Sequence, residues 1–191
     1  MQQIRKIGLG GGCHWCTEAV FQSLKGVFKV EQGFIASTGE YDSFSEAVVV
    51  HFLEDIIHLK DIISIHLHTH NSTSLHSMRN KYRSAIYTFS VSDDTSVAVI
   101  LESIQRDFGK KLITQVLPFG SFKLSDGQFR DYYFTNPERP FCKTHIAPKL
   151  QMLKNKFPKD YNPDTKLSIK KVKSKKWKVR PDRQSLIFCL L

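Results

Sequence analysis

Strands alternating with helices along 191 residues predict an α/β or α+β domain. Short apolar runs of strand length are separated by stretches with apolar residues at helical spacing, and glycine-rich or polar turns fall between them. The balance of 41% hydrophobic to 24% charged residues is that of a packed chain rather than a disordered one, and the length suits one domain. Residues 4–9 read as a strand that runs into the turn Gly10-Gly11-Gly12. Residues 17–25 carry Ala19, Val20, Phe21 and Leu24 at helical spacing, and Gly26 stops that helix. Two strands follow, 27–36 and 45–52, joined through the polar turn Gly39-Glu40-Tyr41-Asp42. A helix is predicted over 59–68, a polar loop over 70–80 and a strand over 82–91. Residues 96–108 form an amphipathic helix with Val97, Ile100, Leu101 and Ile104 on one face. A strand over 112–118, an aromatic loop over 131–140 and a helix over 146–157 complete the folded part, and the chain from Pro158 onward is expected to pack poorly.

The formal net charge of +10 is concentrated at one end. Residues 154–183 hold twelve of the 28 Lys/Arg and three of the 18 Asp/Glu, so the rest of the chain is close to neutral. This divides the chain into a domain over 1–157 and a basic extension over 158–191. Such an extension is a solubilising tail or a site for nucleic acid. It holds one Trp (Trp177) and one Tyr (Tyr161), too few for a single-strand-binding platform. No run of 18 apolar residues exists, which excludes a membrane-spanning helix, and the first fifteen residues lack the apolar core of a secretory signal. Four cysteines are too few for a disulfide scaffold, so a reducing, cytoplasmic setting is expected.

The stretch Gly10-Gly11-Gly12-Cys13-His14-Trp15-Cys16 puts Cys13 where a glycine turn becomes a helix. Free amide groups and the helix dipole favour a thiolate there, and the glycines let the backbone approach whatever Cys13 attacks. The Lys-Ser/Thr pair of a phosphate-binding loop is missing. Cys13 and Cys16 form Cys-x-x-Cys, which fits a redox dithiol, half of a zinc site completed by His14, His66, His68, His70 or His76, or an inert pair.

Three collinear landmarks add a resemblance. Gly11-Gly12-Cys13-His14-Trp15-Cys16, followed by Glu18-Ala19-Val20-Phe21 and Leu24-Lys25-Gly26-Val27, resembles the signature of the A-type peptide methionine sulfoxide reductases. Ser45-Glu46-Ala47-Val48 resembles that family's Ala-Glu-Val-Val strand. Lys81-Tyr82-Arg83-Ser84-Ala85-Ile86-Tyr87 resembles its Gln-Tyr-Arg-Ser-x-Ile-Tyr strand, and His70-Asn71-Ser72-Thr73 stands where His-Asp-Pro-Thr is usual. The resemblance implies a central mixed β-sheet flanked by helices, a two-layer ferredoxin-like sandwich. It also implies reduction of the S epimer of methionine sulfoxide, free or in proteins, as oxidative-damage repair.

Residue by residue, the resemblance implies Cys13 as the nucleophile and Glu46 as the acid at the sulfoxide oxygen. Trp15 matches the wall of the methyl pocket, and Tyr82 a hydroxyl donor to the oxygen. Cys16 and Cys142 are the candidates to resolve the sulfenic acid, with Cys189 behind them, and a thioredoxin or dithiothreitol would restore the thiols. No metal or organic cofactor is required, and a monomer is expected. His14 replaces the usual Phe of the methyl pocket, and Phe34 replaces a Tyr that supplies a second hydroxyl. The loop 76–81 is short, with Ser77 or Asn80 near the place of a missing Asp. Two other readings stay open: a general thiol–disulfide oxidoreductase using Cys13 and Cys16, which needs no Glu46, and a redox or nucleic-acid-binding module acting through the tail.

Overall fold

The structure is a computed structural model that describes residues 3–165. Six strands form one sheet in the order β5-β4-β1-β3-β2-β6. They are β1 (Ile4–Gly10), β2 (Val27–Ala36), β3 (Ser45–Leu53), β4 (Ala85–Thr88), β5 (Gln115–Pro118) and β6 (Ser121–Leu124). Helices α1 (His14–Gln22), α2 (Leu59–Thr69), α3 (Val91–Gln105), α4 (Tyr132–Thr135) and α5 (Ala147–Lys156) complete the fold. The inner strands β4-β1-β3-β2 pair antiparallel throughout, with α1 between β1 and β2 and α2 between β3 and β4. That is the ferredoxin-like arrangement expected. β5 adds parallel to β4 after α3, which makes the sheet mixed, and β6 adds antiparallel to β2.

Strand alternation assigns the two faces. Ile7 and Leu9 of β1 and Val48, Val50 and Phe52 of β3 enter a core with Val20 and Phe21 of α1, Ile62 and Ile63 of α2 and Val97 of α3. Ala47, Val49 and Tyr87 look to the other face, where Tyr41, Phe89, Phe119 and Phe122 cover them. Gly8 faces that side because a Cβ there would lie 2.8 Å from Tyr87 Cβ. Glu46 shares its side of β3 with Val48 and Val50, so its carboxyl faces the helix layer near the start of α1.

Most expected elements are present with shifted ends. α1 begins at His14 rather than 17, so Cys13 caps the helix and Trp15 and Cys16 lie in its first turn. The strand expected over 82–91 is only Ala85–Thr88, because Ser90 caps α3 by accepting the Asp93 N–H at 3.2 Å. β6 falls where no strand was expected; it is a four-residue, mostly exposed edge. The expected loop 131–140 contains α4, preceded by its cap residue Asp131 with φ of 55°.

Poor packing from Pro158 onward does not hold for the first eight residues of that stretch. The Lys25 N–H donates to Asp160 O at 2.8 Å, Asn162 N–H to Ser23 O at 2.9 Å, and Tyr161 bridges Leu24, so the chain here is tied to the end of α1. Asp160 and Thr165 are buried. Packing therefore continues past the expected boundary at 157/158. The rest of the basic extension, with Trp177 and Cys189, lies outside the described residues. Among the described residues no helix is long and apolar enough to cross a membrane.

Candidate active site

The glycine turn after β1 is held from behind. His66 Nε2 donates to the Gly10 carbonyl at 2.9 Å, and an Arg79 guanidinium nitrogen donates to the Gly11 carbonyl at 3.0 Å. Gly11 sits at φ +155°, and a Cβ there would lie closer than 3.0 Å to the His70 ring. His66 and His70, one turn apart on and just after α2, stack at 4.2 Å. His70 Nδ1 donates to the His66 carbonyl at 2.7 Å, and its Nε2 meets Ser84 Oγ at 2.9 Å. Burial holds the His66 imidazole well below its ordinary range and brings His70 down to about 4.

Cys13 emerges from this turn half-buried, and its carbonyl accepts the N–H groups of Cys16 and Thr17 at 3.1 and 3.2 Å. The thiol is held below its ordinary pKa chiefly by a hydrogen bond from the Cys16 thiol. The backbone N–H groups of Cys16 and Trp15 act in the same direction, while burial and the Glu46 charge oppose them. Cys16 is pushed the other way, by its hydrogen bond to Cys13 and then by burial. The pair is thus one half-buried thiol of lowered pKa supported by one buried thiol. Cys142 belongs to the same apolar cluster as Cys13, Cys16, Ala19 and Ile146. It opens the π-helical segment Cys142–Ile146 ahead of α5, its thiol donates to Asn136 O at 3.6 Å, and burial raises its pKa.

Glu46 is 7% exposed and reaches the first residue of α1. One oxygen accepts the His14 backbone N–H at 3.1 Å and lies 3.8 Å from His14 Nε2, and the other lies 3.4 Å from Lys81 Nζ. Tyr82 joins through Lys81, whose ammonium hydrogen-bonds the phenol and lies 5.2 Å from the ring centroid. Phe34 pairs with Glu46 across β2 and β3 and packs edge-on against His14 at 5.2 Å.

Trp15 stacks on Tyr132 at 4.2 Å with planes 3° apart, faces Phe129 at 6.4 Å and meets Phe141 edge-on. Its Nε1–H is buried without a partner among the described residues. Glu18 fixes the Tyr132 segment by accepting the N–H groups of Asp131 and Tyr132 at 3.0 and 3.3 Å. Burial raises the Glu18 carboxyl to about 7. A pocket of about 340 Å³ opens beside this wall, lined by His14, Trp15, Phe34, Lys123, Leu124, Ser125, Asp126 and Phe129. Cys13, Glu46 and Tyr82 do not line it; Cys13 adjoins it as the chain neighbour of His14, and Glu46 through its contacts with His14.

A model of the peptide methionine sulfoxide reductase family matches residues 5–161. The chain belongs to that family. It is 34% identical to the peptide methionine sulfoxide reductase MsrA of a Psychrobacter species, over 81% of this chain and 97% of the relative. The MsrA of Deinococcus radiodurans is 31% identical over 77% of this chain and 79% of its own length. Among solved structures, reduced Mxr1 of Saccharomyces cerevisiae superposes with a TM-score of 0.65 at 22% identity, over 75% of this chain and 91% of that one.

Within this family member the sequence-predicted residues meet in two groups. Cys13, Cys16 and Cys142 share one cluster, and His14, Phe34 and Glu46 gather around the start of α1, with Trp15 joining the two and Tyr82 connected only through Lys81. Ser77 and Asn80, expected near the missing Asp, are exposed; Lys81 is the residue of that loop that reaches Glu46. Sequence reasoning also missed Tyr132, Phe129 and Arg79. As candidate metal ligands, His66 Nε2 and both His70 nitrogens instead serve backbone carbonyls and Ser84, His66 Nδ1 has no partner among the described residues, and no group of three or more His, Cys, Asp or Glu able to hold a metal occurs among them. Their i, i+4 spacing with a glycine turn upstream was the available signal.

Proposed function

We propose that this chain reduces the S epimer of methionine sulfoxide, with Cys13 as nucleophile and Glu46 as acid. The carrying observation is their convergence on one helix end, where the carboxyl accepts the N–H of the residue next to the cysteine. The Cys13 thiolate attacks the sulfoxide sulfur while Glu46 gives a proton to the oxygen. The oxygen passes to Cys13, the S–O bond to methionine breaks, and the products are methionine and a Cys13 sulfenic acid. Sulfur in the substrate gains two electrons and Cys13 loses two. Trp15, Phe34 and His14 hold the methylthio group against the pocket wall, and Tyr82 donates toward the oxygen.

The Cys16 thiol then attacks the sulfenic sulfur, releasing water and leaving a Cys13–Cys16 disulfide. Cys142, buried in the same cluster, is the second relay thiol. An external dithiol of the thioredoxin kind, as a reducing cytoplasm supplies, restores the enzyme; a Saccharomyces cerevisiae Mxr1 of similar fold has been solved with Trx2. Protein thiols carry all the electrons, so no metal or organic cofactor enters. The hydrogen bond from Cys16 to Cys13 also favours a second reading, general thiol–disulfide exchange. The test is turnover of each sulfoxide epimer of a peptide with dithiothreitol. Reduction of the S epimer alone, lost on Cys13→Ser, supports the proposal; reduction of neither epimer overturns it and brings thiol–disulfide exchange forward.

A further inference from the structure

His14 is the residue in this site whose chemistry the pocket does not explain. A ring that only walls off a methyl group needs no nitrogen, yet both nitrogens of this buried imidazole face polar partners. Nδ1 lies 2.9 Å from the Gly33 carbonyl. A carbonyl only accepts, so Nδ1 carries hydrogen in every protonation state that keeps this bond. In the neutral ring Nε2 is then the bare nitrogen, and it looks at Glu46 from 3.8 Å. A bare nitrogen facing an ionised carboxylate is repulsive in a buried site, and one proton between the two removes the conflict. The same carboxyl oxygen accepts the His14 backbone N–H at 3.1 Å, so ring and carboxyl cannot drift apart without breaking the helix start.

Resting on the reductase reading above, we infer that His14 and Glu46 share one proton, and that this proton passes from His14 Nε2 through Glu46 to the sulfoxide oxygen. Reduction consumes one proton: thiolate, sulfoxide and H⁺ give sulfenic acid and methionine. Glu46 supplies it and becomes a carboxylate. That one proton reaches Glu46 from His14 Nε2, so the ring ends neutral with Nδ1–H still on Gly33, and solvent later returns a proton to the pair. The gap of 3.8 Å closes as the substrate packs against His14, since hydrogen bonds in unliganded sites are often long. His14 acts through Glu46 and is a positioning residue for the proton.

The other titratable and charged groups facing the pair are Cys13 from the turn, Lys81 and Tyr82 from the segment before β4, and Lys123 and Asp126 across the pocket. Lysine and aspartate side chains ordinarily hold their charge between pH 5 and 8, whereas an imidazole keeps its proton to higher pH than a carboxyl. The pair therefore delivers a proton at pH values where a lone carboxyl has none to give.

The test uses the full chain in single turnover: methionine formed per enzyme without reductant, from pH 5 to 9, for wild type, His14→Asn and His14→Phe. Asn keeps a donor for Gly33 but carries no exchangeable charge, so it rescues a merely structural role. The expected result is an alkaline limb displaced downward by about one pH unit in both variants, which is about a tenfold slower rate on the falling limb. Nitrogen NMR of the His14 ring is the second readout. Nδ1 should stay protonated throughout, and the Nε2 titration should move on Glu46→Gln. Superimposable profiles for wild type and His14→Asn, or an Nε2 titration indifferent to Glu46→Gln, would overturn the inference. If wild type forms no methionine, the reductase reading fails and His14's delivery role with it, while the nitrogen titration alone still upholds or overturns the shared proton.

Discussion

The two sides of the Cys13 turn are built on opposite principles. Behind it, His66 Nε2, His70 and Arg79 bond to backbone carbonyls and Ser84, and burial lowers the pKa of both imidazoles. In front, His14, Glu46 and Lys81 face one another at 3.4 to 3.8 Å, longer than most hydrogen bonds, and Trp15 keeps an unpartnered donor beside an open pocket. Groups bonded to backbone carbonyls fix a backbone, whereas groups that face one another beside an open pocket leave capacity for a substrate. The rear of the turn thus sets where Cys13 stands, and the front decides what Cys13 does.

The largest expected effect that would break this contrast is at Gly11. Gly11→Ala drives a methyl into the His70 ring at a backbone angle that side chains rarely adopt. It should cost about 1–3 kcal/mol of stability and reduce turnover more than tenfold by displacing Cys13. Denaturant midpoints and sulfoxide turnover check it, and an unchanged midpoint would mean the rear contacts do not hold the turn.

The pH dependence of stability sharpens the contrast. His70 titrates at about 4 in the fold, against 6.5 ordinarily, so the unfolded chain binds the extra proton and stability rises with pH across that window. Glu18, which anchors the Tyr132 segment, is raised from 4.5 to about 7, so its contribution is present at low pH and lost as pH rises through 7. The two regions oppose each other between pH 4.5 and 6.5. Glu18→Gln removes the opposing part, and the rise in stability over that window should steepen by on the order of 2 kcal/mol. Urea midpoints at pH 4.5, 5.5 and 6.5 decide it; equal slopes for both proteins would contradict the assignment.

The smallest effect concerns the aromatic wall. Tyr132→Ala removes the ring stacked on Trp15. KM for a sulfoxide peptide should rise about 2- to 10-fold with kcat nearly unchanged. A fall in kcat alone would mean that the stack serves Cys13 rather than the pocket.

What the sequence made legible follows the same division. Cys13 was readable because its glycine turn and its helix are chain neighbours, so one stretch of residues carries the whole local geometry. The inner strands were readable from apolar runs, and the fold-level arrangement followed from the landmarks. Glu46 on its own was one more strand carboxylate, and only its company in the motif singled it out. Lys81 and Tyr132 left no local mark: one acts through a long flexible side chain, the other stacks across a segment far away in the chain. β6 escaped because it is only four residues long and mostly exposed, with Phe122 its one partly buried side chain. The packing of residues 158–165 was hidden by the surrounding charge, since backbone hydrogen bonds to the end of α1 leave no signature in composition.

The front of the turn makes a dithiol with one partly exposed thiol, Cys13, into a sulfoxide reductase. The most direct measurement compares sulfoxide reduction and thiol–disulfide exchange side by side in wild type and Glu46→Gln. Loss of the acid should lower sulfoxide reduction by about 10²- to 10⁴-fold while leaving disulfide exchange within a few-fold of wild type. Equal loss of both activities, or loss of neither, would contradict the account.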